Sequence, residues 1–352
     1  DKRQLVKKIN LNSLYGALLN PGCRFFDQRL GQSTTLTGRC IARHMAAEVN
    51  RVIEGTYDHT GKSIIYGDTD SVYFSAYPIL KQQIDSGELE WTKDKVTEYY
   101  EAVCEAANET FPGYMNQAHN CPSEFGSIIA AAREIVGVAG IFIKKKRYAI
   151  LVYDNEGYRE DTDGKPGKVK AMGLDLKRSD TPKFMQEFLH ELLVMVLTGV
   201  EEQPVLKRIK EFRKPFREKP GWEKGTPKRV NNLTNHTAKY EKTGKCGVGH
   251  ALAAINYNRL RKMNGDAYSM EITDGMKTIV CKLKGNPLNM TSVGIPTDEK
   301  RIPDWFKDLP FDDDAMETAI ITKKIENLLG VLKWDLKSAH DNNTFGDLFD
   351  FG

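Results

Sequence analysis

Apolar positions recur along this chain at two different periods, and the changes of period mark out its elements. Over residues 1–19, Leu5, Ile9, Leu11 and Leu14 fall at helical spacing until Asn20-Pro21-Gly22 interrupts them, which predicts a helix. A second helix is predicted over 32–54, where Leu36, Ile41, Met45, Val49 and Val52 approximate one stripe and Gly55 closes it. SIIYG and SVYFSAY then read as two strands around the turn in YGDTDSVYF, residues 66–74. Residues 92–110 return to helical spacing. Residues 123–155 read as sheet, because REIVGVAGIFIKKKRYAILVYD is rich in β-branched and aromatic residues with glycine interruptions. DTDGKPGK, 161–168, is a loop on composition, and a boundary follows.

Past that boundary, Thr181 and Pro182 suit a helix start, with Met185, Phe188, Leu189, Leu192 and Val196 facing inward. The next helix carries Val205, Ile209, Phe212 and Phe216 at spacings of four, three and four. Helices near 247–263 and 314–330 and short strands near 276–284 complete a mixed C-terminal half.

Composition narrows this picture. A chain of 352 residues has room for two domains, and 40% of its residues are hydrophobic. The six cysteines are scattered without a CxxC pair, which suits reduced thiols and argues against a structural zinc site. No apolar run approaches the roughly 20 residues of a membrane-spanning helix, and there is no signal-peptide pattern. The first residue is Asp1 and a patterned helix begins almost at once. The expectation is therefore the C-terminal portion of something larger, or the second piece of a divided protein.

The net charge of +3 says little, but its distribution says more. KKKRY, 144–148, crosses the predicted sheet, so at least one face there is expected not to be apolar core, unless it is an exposed edge protected by lysines. Between 203 and 230 stand ten basic residues against three glutamates: Lys207, Arg208, Lys210, Arg213, Lys214, Arg217, Lys219, Lys224, Lys228 and Arg229. Asn231, Asn232, Thr234 and Asn235 follow, then Lys239, Lys242 and Lys245, while acids gather around 298–314. Basic residues mixed with short hydrogen-bonding side chains suit phosphate contacts along a nucleic-acid backbone.

The paired acids of YGDTDSVYF pose a sharper question. Asp68 and Asp70 are either ordinary turn residues or carboxylates whose repulsion a cation relieves. All-oxygen coordination with few protein ligands suits magnesium, which keeps waters and takes substrate phosphates. Magnesium, phosphates and a basic channel together describe phosphoryl or nucleotidyl transfer, in which two ions serve the attacking and leaving oxygens. Such a centre needs an opposing carboxylate. Asp154, Asp163 and Asp175 remain, and none has a convincing partner motif. On the first helix, Lys8, Asn12 and Tyr15 are spaced by four and three and share a face that is either solvated or turned to a ligand.

Several of these segments resemble one family. KKINLNSLYGAL, 7–18, resembles the fingers-helix motif KxxxNSxYG of family B DNA polymerases; YGDTDS, 66–71, resembles their palm carboxylate motif; and KKRY, 145–148, their primer-contacting motif. KAMGLDLKRSDTP, 170–182, is similar to the palm-to-thumb junction of replicative polymerases from T-even-like tailed phages, and GDLFDFG, 346–352, to their clamp-docking tail. The resemblance extends over the whole chain. It implies an α+β fold: a palm with an antiparallel sheet and packed helices, then a mostly helical thumb with small β elements. The implied division is the end of the fingers at 1–19, palm at 20–169, thumb at 170–344 and tail at 345–352.

The roles it implies are specific. Lys8 would contact the incoming deoxynucleoside triphosphate, Asn12 and Tyr15 would line the nascent base-pair pocket, and Gly16 would permit close approach. Asp70 would be the principal ligand of this motif in a site holding two Mg2+ ions, with Asp68 beside it. Lys145, Lys146, Arg147 and Tyr148 would grip the primer, Lys146 foremost. Lys170 and the basic thumb, including Arg208, Lys228, Arg229, Asn232 and Lys239, would follow the primer–template duplex. Leu348, Phe349 and Phe351 would dock on the sliding clamp. The activity implied is DNA-directed DNA synthesis in phage genome replication, in the cytoplasm of an infected bacterium.

The family's other palm motif, DxxSLYPS, with its aspartate, is absent from the sequence, as are the 3′–5′ exonuclease acids and the first long fingers helix. The expectation is that this chain needs an N-terminal polymerase partner and does not polymerise alone. A catalytically silent DNA-binding and clamp-tethering subunit is the rival reading. An RNA-making or reverse-transcribing enzyme also suits paired aspartates, but KxxxNSxYG argues against it.

Overall fold

The computed structural model describes residues 2–339. The tail residues Leu348, Phe349 and Phe351 therefore lie outside the described residues. The chain forms two compact units, residues 1–136 with 154–158, and residues 137–153 with 159–352. The fold is α+β, with an antiparallel sheet flanked by helices and a mainly helical C-terminal region carrying small strands.

In the first unit, helix α1 (Lys2–Leu18) buries no residue, so its apolar positions Leu5, Ile9, Leu11 and Leu14 are all exposed. Helix α2 (Gln28–Glu54) starts four residues earlier than expected, because the Asp27 carboxylate accepts from the Arg29 amide at 2.9 Å and caps it. Its buried stripe also differs from the expected one. Ala46, Val49 and Ile53 face the core together with the polar residues His44, Glu48 and Asn50, while Leu36 is exposed. The C-terminal half of α2 carries the hairpin of β1 (Ile64–Asp68) and β2 (Ser71–Phe74). Val49, Ile53, Ile64, Phe74, Ala76 and Val103 form the shared core. Helices α3 (Tyr77–Asp85), α4 (Lys93–Asn108), α5 (Phe111–His119) and the single turn α6 (Ser123–Gly126) complete the unit.

Strands β3 (Ile135–Lys144), β4 (Arg147–Asn155), β5 (Tyr158–Arg159) and β6 (Lys168–Met172) form the four-stranded sheet. Sheet structure thus begins at 135 rather than 123. In β4 every residue from Tyr148 to Asp154 is buried, which corrects the expectation of a charged face. Lys145 and Lys146 occupy the β3–β4 turn, with Lys146 at φ 61°, so their charge leaves the sheet at its end instead of crossing it.

One sheet face packs on α7 (Lys183–Leu197) and α8 (Glu202–Glu218), with Ile141, Ala149 and Leu151 meeting Phe188, Leu189, Leu192 and Ile209. A second core, around Tyr257 and Phe306, gathers β7 (Thr226–Arg229), α9 (Leu233–Thr243), α10 (Gly249–Met263), β8 (Lys277–Lys282), β9 (Ser292–Pro296), α11 (Asp304–Lys307) and α12 (Asp313–Glu317). The chain then passes through a π-helical stretch, Thr318–Thr322, into α13 (Lys323–Leu329), which returns to the first core.

Candidate functional site

YGDTDSVYF is an antiparallel hairpin in which Asp68 is paired with Ser71 and closes a two-residue turn of Thr69 and Asp70. The Asp70 amide donates to the Asp68 carbonyl at 2.6 Å, and the Ser71 hydroxyl donates to the same oxygen at 3.0 Å. Thr69, between them, has φ 53°. That region costs a β-branched residue on the order of 1–3 kcal/mol, and such strain is kept where surrounding structure over-determines it. Asp68 is half-buried and Asp70 exposed. Asp68 ends β1 and Asp70 stands in the turn, so two carboxylates lie one residue apart at an accessible tip.

The remaining acids considered for the opposing role are engaged elsewhere or set apart. Asp154 is buried and takes an ion pair from Arg133 and the Gly157 amide at 3.1 Å. Asp175 gathers Lys324 at 3.4 Å, Asn327 at 3.3 Å, and Arg147 and Arg178 at 3.8 Å each. Asp163 sits at φ 59° in the exposed loop before β6. Among the described residues, no group of three or more His, Cys, Asp or Glu could hold a metal ion.

Helix α1 places Lys8, Asn12 and Tyr15 on one face, as their spacing requires. Lys8 and Asn12 are exposed and Tyr15 is half-buried. A Cβ built on Gly16 would meet nothing within 4 Å, so that flank of the helix is open.

The KKRY segment runs from the β3–β4 turn into β4. Lys145 and Lys146 are exposed in that turn. Arg147 is held toward Asp175, and Tyr148 is buried with its ring stacked on Phe142 at 5.4 Å. Gly173 (φ 61°) lies directly behind the turn: a Cβ there would sit 2.1 Å from the Lys146 carbonyl oxygen, so only glycine fits. Lys170 pairs through its backbone with Ile150 in the sheet.

The basic run of 203–230 divides in three dimensions. Arg208 makes two hydrogen bonds to Glu191, at 2.6 and 3.0 Å, and lies over the Phe188 ring. Arg213 and Arg217 both bind Glu317, the latter at 2.7 and 2.9 Å. Burial raises the Glu317 carboxyl, but the hydrogen bonds from Arg217 and Arg213 outweigh it and hold the group below its usual range. Lys224 is buried against Asp313 at 3.2 Å. Lys228 meets Asp180 at 2.7 Å, and Asp180 is held well below the usual carboxylate range by Arg178 first and then Lys228. Asp313 and Glu317 come from near the acidic stretch that looked segregated from the basic one. Arg229 and Lys239 are exposed, and Asn232 starts α9 at φ 59°. A groove of 520 Å³ lined by Phe184, Lys219, Trp222 and Ile295, among others, takes up none of the predicted site residues.

Comparison with known proteins places this hairpin in a wider sequence context. The profile described as DNA polymerase family B matches residues 1–86, which contain α1 and the Asp68–Asp70 turn. The DNA-directed DNA polymerase of Escherichia phage RB69 is 29% identical over an alignment covering 99% of this chain and 38% of that protein. That of Enterobacteria phage T4 is 31% identical, over 84% of this chain and 33% of its own length. The DNA polymerase alpha catalytic subunit of Arabidopsis thaliana is 25% identical over 87% of this chain. The chain is homologous to family B DNA polymerases. The homology runs over most of its length, while the chain spans between a third and two fifths of the two phage relatives. Among the described residues, no helix is long and apolar enough to cross a membrane.

Within this family framework, one group of polar residues escaped the sequence reading. Asn50, Thr56 and Ser63 form a hydrogen-bonded cluster beneath the base of the hairpin. The available signal was an asparagine between Val49 and Ile53 in the half of the helix rich in alanine and valine, AAEVNRVIE.

Proposed function

We propose that this chain carries the end of the fingers, the main part of the palm and the thumb of a phage replicative DNA polymerase, which extends a primer 3′ hydroxyl with deoxynucleotides. The observation that carries the reading is the accessible Asp68–Asp70 tip within the stretch matched by the family profile. Its donor set fits Mg2+: hard carboxylate oxygens, few in number, with room for waters and phosphates. Asp70 and Asp68 would hold the metal, which neutralises charge developing on the phosphates when bound. This chain's own part is to orient the reactants. Lys8 and Asn12 meet the triphosphate and base of the incoming nucleotide, with Tyr15 along the same face. Lys145 and Lys146, presented at a turn backed by Gly173, hold the primer backbone.

The thumb contacts narrow under this reading. Among the described residues, Arg229 and Lys239 are exposed and make none of the ion pairs that engage Arg208 and Lys228, so they are the stronger duplex contacts. The opposing carboxylate and the exonuclease come from polypeptide outside these 352 residues. The tail, 345–352, binds the sliding clamp, and the assembly works in the cytoplasm of the infected bacterium.

Primer extension tests the proposal. The chain alone should give no product, and product should appear on mixing with a polypeptide bearing DxxSLYPS. Asp70→Ala should reduce that product at least a hundredfold, since it removes a charge-stabilising group worth several kcal/mol. Extension by the chain alone would overturn the need for a partner. Mixtures that bind DNA but never extend it would favour a silent tethering subunit.

A further inference from the structure

Asn50 lies in the buried half of α2 with no exposed surface, and all four of its amide hydrogen-bonding positions are used. Its Oδ1 accepts from the Ser63 amide at 3.3 Å and the Ser63 hydroxyl at 2.7 Å. Its Nδ2 donates to the Thr56 carbonyl at 2.9 Å and the Thr56 hydroxyl at 3.0 Å. The loop closes tightly around the amide: a Cβ built on Gly61 would lie 2.1–2.2 Å from it.

Ser63 is the residue before β1, and its carbonyl accepts from the Ser75 amide at 2.8 Å, one residue past the end of β2. Through Ser63 the single amide of Asn50 thus reaches both legs of the hairpin whose tip bears Asp68 and Asp70. The hairpin needs such a pin. Its register shifts between Ile64 and Tyr66, directly above Ser63, and the tip is held at positive φ by Thr69 without a glycine. A slip of one residue would send Asp68 to the opposite face of the ribbon. A buried amide resists that slip, because each polar atom left without a partner costs on the order of 1–3 kcal/mol.

We infer that Asn50 is a positioning residue for the Asp68–Asp70 carboxylates, fixing the register and direction of the hairpin that presents them. The inference rests on the reading of that tip as a divalent-metal site. Residues that orient ligands from behind change metal affinity by about 10- to 100-fold when removed.

The test is a Mn2+ titration of the whole chain, following paramagnetic broadening of the backbone amide signals of residues 67–72. In the wild-type chain these signals should broaden selectively. In Asn50→Ala the midpoint should rise at least about tenfold, at a temperature where both proteins are folded by circular dichroism. Ser63→Ala removes one bond from the same amide oxygen and should raise the midpoint by a smaller factor. It keeps the inference testable if Asn50→Ala does not fold. Wild-type signals that do not broaden would overturn the metal reading itself. Wild-type broadening with unchanged midpoints in the folded variants, whatever their melting temperatures, would overturn the role of Asn50 alone.

Discussion

Helices α1 and α8 are both 17 residues long and both basic, and they use their charge in opposite ways. Helix α1 buries nothing and holds Lys7, Lys8, Leu5, Leu11 and Leu14 on the surface. Helix α8 buries Val205, Leu206, Ile209, Phe216 and, among them, Arg213, whose guanidinium is matched by Glu317 from more than 100 residues away. A charged helix therefore has two possible fates. If acids reach it from elsewhere in the fold, its charge becomes internal structure. If none among the described residues does, as at the exposed Lys8, the charge stays in solvent.

The largest effect should come from breaking that internal pair. Arg213→Ala leaves the Glu317 carboxylate buried opposite a hole and should cost about 3–5 kcal/mol in urea unfolding; a loss under about 1 kcal/mol would mean Arg217 alone satisfies it. Next is the apolar contrast. Ile209→Ala should destabilise by about 2–5 kcal/mol, whereas Ile9→Ala on α1 should stay within about 0.5 kcal/mol. Equal losses would erase the distinction between the helices.

A smaller effect concerns pH. His44 is buried, with its ring stacked on Tyr114 at 3.9 Å and its nitrogens 2.9 Å from the Tyr57 and Thr110 hydroxyls. Burial is the first cause that pushes its pKa down, followed by an opposing pull from Glu48 and repulsion from Arg51. The unfolded chain then takes up a proton near pH 6.5 while the folded one resists it. This contribution is present above about pH 6.5 and lost as the pH falls toward the folded value. Melting temperature should drop between pH 7 and 5, and His44→Phe, which keeps the stack, should flatten that drop. His250 is pushed down by burial and by Lys228 in the same sense, so some slope should survive. The smallest stability effect belongs to Lys8→Ala. It should leave urea unfolding within about 0.5 kcal/mol while weakening nucleotide use by the assembled polymerase, seen as a higher KM for the triphosphate.

Much of the element order was legible because it depends on local periodicity. The helix predicted at 92–110 appears as Lys93–Asn108, and Met185, Phe188, Leu189 and Leu192 face inward as their spacing requires. The misses share a cause. The α2 stripe shifted because most of the neighbours that cover His44 and Asn50, namely Thr110, Tyr114 and Ser63, lie well beyond the helix in sequence, and only Thr56 is close to its end. KKKRY was read as strand because its composition matches its flanks, while its turn depends on Lys146 adopting φ 61° against Gly173. β7 and β9 are short strands that became regular only by pairing with β8.

For the site, the sequence by itself determined which chemistry-bearing residues exist and which share a face, since Lys8, Asn12 and Tyr15 or Asp68 and Asp70 are related by spacing alone. Tertiary structure decided which charges remain available. Coulombic pairing acts through space and takes no account of sequence separation, so Asp180, Glu191, Asp313 and Glu317 engage Lys228, Arg208, Lys224 and Arg213. It decided equally what holds the two aspartates in place, because a buried amide is satisfied only where the fold brings its four partners to it.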